Sequence, residues 1–380
     1  MKQIIIFLIA AVTISCDGKR NTPKPKEVDT VSHIDTVCVG CNGNVFSGSD
    51  SIPIYGKDFD IKDLIFREYD NPDLLDVATV KIRVAFYSFL KANASKYDNN
   101  LIVYIGRQDK ILFCYRQGTY DTSTKLPIMS ASKMVTAAVI MSIVESGKLS
   151  LDDKVSKFIP SFNNDKKSIT IRQLLSHTSG IVVDSPYDNR SNLTLQQAVD
   201  SIAIRTKLHF LPGTKSLYGS TAYSIVARVA EVVEKKSWSQ IFQERIGSKC
   251  GMEHVVYSPE HPFNPAAGYG IICSMNEYLR FLTMIYNKGT YDGVRVLSTA
   301  SVETMELDNT NNVDPAHGLG LFRSEIQNNI AQEVACHSAV GVQGWINRKK
   351  NFYGLIFTQA GYNKTIESNL AFRKLVREKL

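Results

Sequence analysis

The chain has 380 residues, 44% of them hydrophobic and 21% charged, with 17 Tyr and 17 Phe. That composition excludes a disordered protein and supplies apolar side chain for one large core or two smaller ones. The net charge of +7, from 44 basic against 37 acidic residues, is spread along the sequence, and no compact Lys/Arg block with interleaved aromatics marks a nucleic-acid partner.

The first element is an export signal over residues 1–15: Lys2, then the apolar run Ile4 to Ile14. Such a run is too short for a bilayer core, which needs roughly 20 residues, and suits the h-region of a secretory signal. The junction Thr13-Ile14-Ser15-Cys16 is similar to a bacterial lipobox, although Thr13 stands where Leu is usual. It predicts a lipoprotein exported to the bacterial cell envelope and held on a membrane through lipidated Cys16, with an ordinary cleaved signal as the alternative. Residues 16–57 are rich in Lys, Thr, Asp, Gly, Ser and Pro and read as a tether. Within it, Cys38-Val39-Gly40-Cys41 leaves open a local disulfide, two idle thiols, or a metal site with His33. The remaining 58–380 form the domain, in which Cys114, Cys250, Cys273 and Cys336 sit in or beside apolar segments and read as small buried hydrophobes.

In the domain, Val77 to Ala92 carries Val80, Val84, Phe86, Phe89 and Leu90 at helical spacing, and Leu101 to Tyr115 holds two strand-like runs around Gln108-Asp109-Lys110. Ser130 to Ser146 is apolar on nearly every face until Gly147, the mark of a buried helix. Thr170 and Thr194 each precede a Gln by three residues, the capping-box pattern for a short helix and for Leu195 to Arg205. Pro212-Gly213 forces a turn, and Ser220 is placed to cap a helix over Thr221 to Lys235. Then come a helix near Asn276 to Asn287, strands at Ala335 to Val342, Gly344 to Asn347 and Tyr353 to Gln359, and a last helix from Glu367 to Lys379. Strands at both ends of a helical middle predict an α+β fold: one antiparallel sheet flanked by helices, with an all-helical subdomain inserted at about 150–260.

Three residues could carry chemistry. Ser130 and Lys133 are three apart at the start of the buried helix, which puts both side chains on one face, where the helix N-terminus favours an alkoxide and a neutral amine. Composition alone yields about two such Ser-x-x-Lys spacings in a chain of this length, so the helix context gives it weight. Tyr218 follows the Pro212-Gly213-Thr214 turn, and a phenol beside a Lys ammonium is expected to have a lowered pKa and to accept the serine proton. A core Tyr with a satisfied hydroxyl is the alternative.

Taken together, these motifs resemble the class C β-lactamases, their D,D-peptidase relatives and the related esterases. The likeness runs from Leu101 to Thr358 and includes Leu126 to Lys133, Leu174 to Gly180, Phe210 to Tyr218, Ile246 to Met252, Ala266-Ala267-Gly268 and His337-Ser338-Ala339. It implies the β-lactamase/transpeptidase-like fold, an acyl-enzyme on a serine, and no metal or organic cofactor. It also implies roles: Ser130 the nucleophile, Lys133 its partner, Tyr218 the catalytic Tyr of a Tyr-x-Asn motif in which Ser220 replaces Asn, and His337 the head of the third motif on a strand lining the cleft. Ala339 stands where that motif has Gly, and the N–H of Ala339 or Val340 is to pair with that of Ser130 as oxyanion donor. His177 lies in a motif the family uses for structure. The expected function is hydrolysis of an ester or amide from a small-molecule or peptidoglycan-derived acyl substrate, esters ahead of β-lactams. A catalytically impaired binding protein of the same fold, a D,D-peptidase or β-lactamase, and a purely structural lipoprotein are the rivals.

Overall fold

The computed structural model describes Thr36–Val37, residues 77–108 and residues 110–380. Cys16 with the run before it, His33, Cys38 and Cys41 lie outside the described residues. Helix α1 (Val77–Ala92) and the hairpin of β1 (Leu101–Arg107) and β2 (Lys110–Gln117) form where hydrophobic spacing predicts them. After a long helical stretch come β3 (Phe322–Gln327), β4 (Ile330–Ala335), β5 (Gln343–Asn347) and β6 (Phe352–Thr358). The sheet runs Thr36–Val37, β2, β1, β6, β5, β4, β3, and every neighbour is antiparallel. Its centre joins the two ends of the chain, with Leu101 opposite Thr358 and Gly106 opposite Tyr353. The short edge strand Thr36–Val37 lies within the expected tether and pairs with Tyr115 and Arg116.

Period-two alternation divides the sheet between two cores. Leu101, Val103 and Ile105 of β1 pack with Phe86 and Leu90 of α1 and with Phe372 and Val376 of the last helix, α9 (Tyr362–Lys379). Ile102 and Tyr104 face the other way, into the larger core built on α2 (Ser132–Glu145). Ser132 through Ile143 are all buried, as the all-round apolar sequence requires. Around α2 lie α3 (Ile171–Leu175), α4 (Leu195–Arg205), α5 (Thr221–Glu234), α6 (Trp238–Phe242), α7 (Met275–Tyr286) and α8 (Thr299–Glu306). The capping boxes at Thr170–Gln173 and Thr194–Gln197 both form, and Ser237–Gln240 and Ser274–Glu277 repeat the device. Cys114, Cys250, Cys273 and Cys336 are buried thiols.

The structure departs from the expected elements near the cleft. The strand expected over Ala335 to Val342 is instead β4, which ends at Ala335. Beyond it the chain turns, with the N–H of Gly341 on Ser338 O (3.0 Å), the N–H of Val340 on Ser338 Oγ (3.2 Å) and φ +87° at Gly341. His337 is therefore on a loop that leaves the strand. Helix α9 starts at Tyr362, five residues early, because Gly361 (φ +83°) turns the chain into it and the polar first turn shows no apolar period.

Candidate active site

The nucleophile candidate sits on a tight 3-10 turn, Met129–Ala131, that leads into α2, one step before the α-helix proper. Met129 adopts φ +45°, an unusual conformation for a side chain with a Cβ. The turn is tied on both sides. Ile128 N–H donates to Ile271 O (3.0 Å), while Ser132 Oγ donates to Met129 O (2.6 Å) and accepts from Ile271 N–H (3.2 Å).

At the second position of α2, the Lys133 side chain is almost wholly buried. Its Nζ lies 3.1 Å from Ser130 Oγ, 3.2 Å from Ser220 Oγ and 3.1 Å from Gly268 O. Burial pushes its pKa from 10.5 down to about 7, against an opposing pull from Asp184. A carbonyl must accept, so Gly268 O takes one amine proton; the neutral amine can give the other to Ser220 and accept the Ser130 hydroxyl proton. Ser220 makes no side-chain cap on α5, contrary to expectation, because its hydroxyl belongs to Lys133 instead.

Tyr218 lines the cleft beside Ser130, and Lys133 Nζ lies 4.8 Å from the centre of its ring. Its pKa moves opposite to the sequence expectation, up to about 12, because burial outweighs the help of Ser130. At neutral pH Tyr218 is a phenol. The loop that carries it is clamped to the segment after α3: Leu217 N–H donates to His177 O (2.9 Å), Gly213 N–H to Thr178 O (2.7 Å) and His209 N–H to Gly180 O (2.8 Å). His177 takes φ +63° to make this clamp, and its Nδ1 accepts Gly219 N–H at 3.4 Å. Its ring packs at 4.4 Å from that of Tyr218, and burial holds its pKa well below 6.5.

An open cleft of about 700 Å³ lies before Ser130, walled by Tyr218, Phe322, the His337–Ala339 loop and the start of α9. Among the described residues, the N–H groups of Ser130 and Ala339 have no acceptor, whereas Val340 N–H is committed to Ser338 Oγ. Ala339 is the better placed of the two expected donors. Its own carbonyl accepts Tyr362 N–H at 2.8 Å, which ties the loop to α9. The Gln343 side-chain amide lies 2.6 Å from His337 Nδ1, and burial lowers the pKa of this imidazole to about 3.

The sequence matches the family profile described as Beta-lactamase over residues 100–377. The chain belongs to that β-lactamase family. It is 30% identical over 209 residues to Penicillin-binding protein 4 of Amycolatopsis lactamdurans (46% of this chain, 55% of that one). It is 29% identical over 180 residues to Teichoic acid D-alanine hydrolase of Staphylococcus aureus (46% and 44%). The chain thus spans about half the length of these two relatives. A crystal structure of a putative β-lactamase from Bacteroides dorei superposes with a TM-score of 0.69 at 28% identity, covering 78% of this chain and 98% of that one. The fold is therefore the β-lactamase/transpeptidase-like one expected from the motifs.

Two features of this β-lactamase-family cleft escaped the sequence. His317 sits behind Tyr218, its Nδ1 2.7 Å from Asp314 Oδ2 and its ring 5.4 Å from that of His177. Phe322 stacks on Tyr218 at 5.5 Å and meets His337 edge-on at 4.7 Å. Both residues follow from Gly320, whose φ of +72° and missing Cβ let the chain lie against α2; a Cβ there would come within 2.5 Å of Lys133 O. The Gly318-Leu319-Gly320 run was the available signal.

Proposed function

We propose that this chain is a serine hydrolase that forms an acyl-enzyme on Ser130 and prefers esters to β-lactams. The observation that carries the proposal is the buried Lys133 amine, 3.1 Å from Ser130 Oγ with a pKa near 7. A base poised at the working pH is what deprotonation of a serine hydroxyl needs. Neutral Lys133 takes the Ser130 proton, and the alkoxide attacks the substrate carbonyl. The oxyanion is received by the N–H groups of Ser130 and Ala339. Tyr218, a phenol, gives its proton to the leaving group and regains one from the Lys133 ammonium, which restores the neutral amine. Water then attacks the acyl-enzyme, and the Ser130 oxygen leaves with a proton.

Preference for esters is supported by the want, among the described residues of the cleft, of a free cation to hold a β-lactam carboxylate. His337 is neutral, and Lys364 is paired with Asp98. Ser220, in place of the usual Asn, is engaged by Lys133. The relative named Teichoic acid D-alanine hydrolase supports an envelope acyl substrate, and Ser15-Cys16 supports membrane anchoring through a lipid. The test is fluorophosphonate labelling of the protein with and without Ser130→Ala, followed by kcat/KM for p-nitrophenyl acetate and nitrocefin. Labelling lost with Ser130, and faster ester turnover, is expected. A folded but unlabelled wild-type protein would put the non-catalytic binding protein first.

A further inference from the structure

The cleft before Ser130 is walled by rings that touch one another in turn. Tyr218 stacks on Phe322, with ring centres 5.5 Å apart and planes at 29°. Phe322 meets His337 edge-on at 4.7 Å, and His337 meets Tyr362 edge-on at 6.3 Å. All of these rings line the same cleft as Ser130, so they form a continuous arc from Tyr218 to the start of α9. Phe322 and Tyr362 belong to neither hydrophobic core; Phe322 is half-buried and Tyr362 is 41% exposed. Single apolar side chains at a surface are ordinary, but a joined set of rings around a nucleophile marks a binding surface.

The arc is anchored and uncharged. Gly361 (φ +83°) turns the chain into α9, and Tyr362 N–H donates to Ala339 O at 2.8 Å, which ties the root of the Tyr362 side chain to the loop that offers the Ala339 N–H. Among the described residues the Tyr362 hydroxyl has no hydrogen-bond partner, so its place in the wall is not set by that hydroxyl. His337 is neutral, and Lys364, in the same wall, is paired with Asp98. In the reaction proposed above, Tyr218 protonates the leaving oxygen. The substituent on that oxygen therefore begins at the Tyr218 end of the arc, which continues past Phe322 to Tyr362.

We propose that Phe322 and Tyr362 are specificity residues that hold an uncharged aromatic ring on the alcohol part of the substrate, so that the enzyme favours esters of arylmethyl alcohols. This rests on the hydrolase proposed above and names its substrate class. Offset and edge-on ring contacts along such an arc add to the apolar area buried, and a neutral ligand leaves no charge desolvated without a partner.

The experiment compares benzyl acetate with methyl acetate, which share an acyl group and release alcohols of nearly equal acidity, on the wild-type protein, Tyr362→Ala and Tyr362→Phe. The ratio of the two kcat/KM values cancels effects common to both substrates. The wild type is expected to favour benzyl acetate. In Tyr362→Ala this ratio should fall about three- to tenfold, mainly through KM, the size of one lost ring contact, and Tyr362→Phe should keep it. Methyl phenylacetate, an isomer of benzyl acetate with the ring on the acyl side, should lose less in Tyr362→Ala. A ratio unchanged by Tyr362→Ala, or a larger loss on methyl phenylacetate, overturns the assignment. Should the wild type turn over none of these esters and leave Ser130 unlabelled, the hydrolase reading fails, and calorimetry with N-benzylacetamide and N-methylacetamide decides the ring site separately. Tighter binding of N-benzylacetamide that is lost in Tyr362→Ala supports it, and equal binding of the two amides overturns it.

Discussion

Acylation should titrate with Lys133. Burial moves this amine from 10.5 down to about 7, so about half the molecules hold a neutral amine at pH 7, against ~0.03% for a solvated lysine. The gain in competent base is about a thousandfold. On p-nitrophenyl acetate, kcat/KM is expected to rise about tenfold per pH unit below 7, bend near 7, and stay level until the ester hydrolyses unaided. Tyr218 adds no second bend in this range, because it titrates only near 12. The oxygens of Ser130, Ser220 and Gly268 stand around the amine within 3.2 Å, and such acceptors favour the ammonium form. Removing one acceptor by Ser220→Ala should lower the bend by about 0.5–1 unit, the worth of one net hydrogen bond.

Stability follows the same proton. Between pH 7 and 10.5 the unfolded chain holds a proton on Lys133 that the folded chain has released, so stability rises with pH across that window, by up to about 5 kcal/mol. Lys133→Met should abolish this rise. The assays are the rate of fluorophosphonate labelling from pH 4 to 10 at fixed ionic strength, and denaturant midpoints over the same range. A labelling profile flat between pH 5 and 9, or a bend that Ser220→Ala moves upward, would refute the assignment of Lys133 as base.

Tyr218→Phe is expected to slow turnover by about 10²–10⁴ with little loss of fold, whereas His177→Gln should lower the melting temperature, since His177 holds the Tyr218 loop; steady-state kinetics beside thermal melts separate the two. Gly320→Ala forces a Cβ to within 2.5 Å of Lys133 O at φ +72° and should cost about 1–3 kcal/mol in chemical denaturation, with labelling slowed as α2 shifts. Cys16→Ala should abolish metabolic lipid labelling and release the protein from the membrane fraction; unchanged labelling would remove the lipid anchor.

Elements with local causes were legible in the chain before any fold was known. Apolar spacing set α1 and the β1–β2 hairpin, and Thr170–Gln173 and Thr194–Gln197 set two helix starts, because capping and periodicity act over three or four residues. Ser130, Lys133 and Tyr218 were legible as candidates, the first two through helical spacing and the third through its turn. Their chemistry came from the folded molecule. The pKa of Tyr218 depends on how deeply its ring is buried among His177, His317 and Phe322, and burial here reverses the shift that a neighbouring ammonium suggests. The partners of Lys133 come from residues 87 and 135 positions away, His317 reaches the cleft through long-range packing, and Ala339 becomes the free donor because Ser338 Oγ takes the Val340 N–H. Desolvation and long-range contact are properties of the assembled core, and no window of sequence contains them.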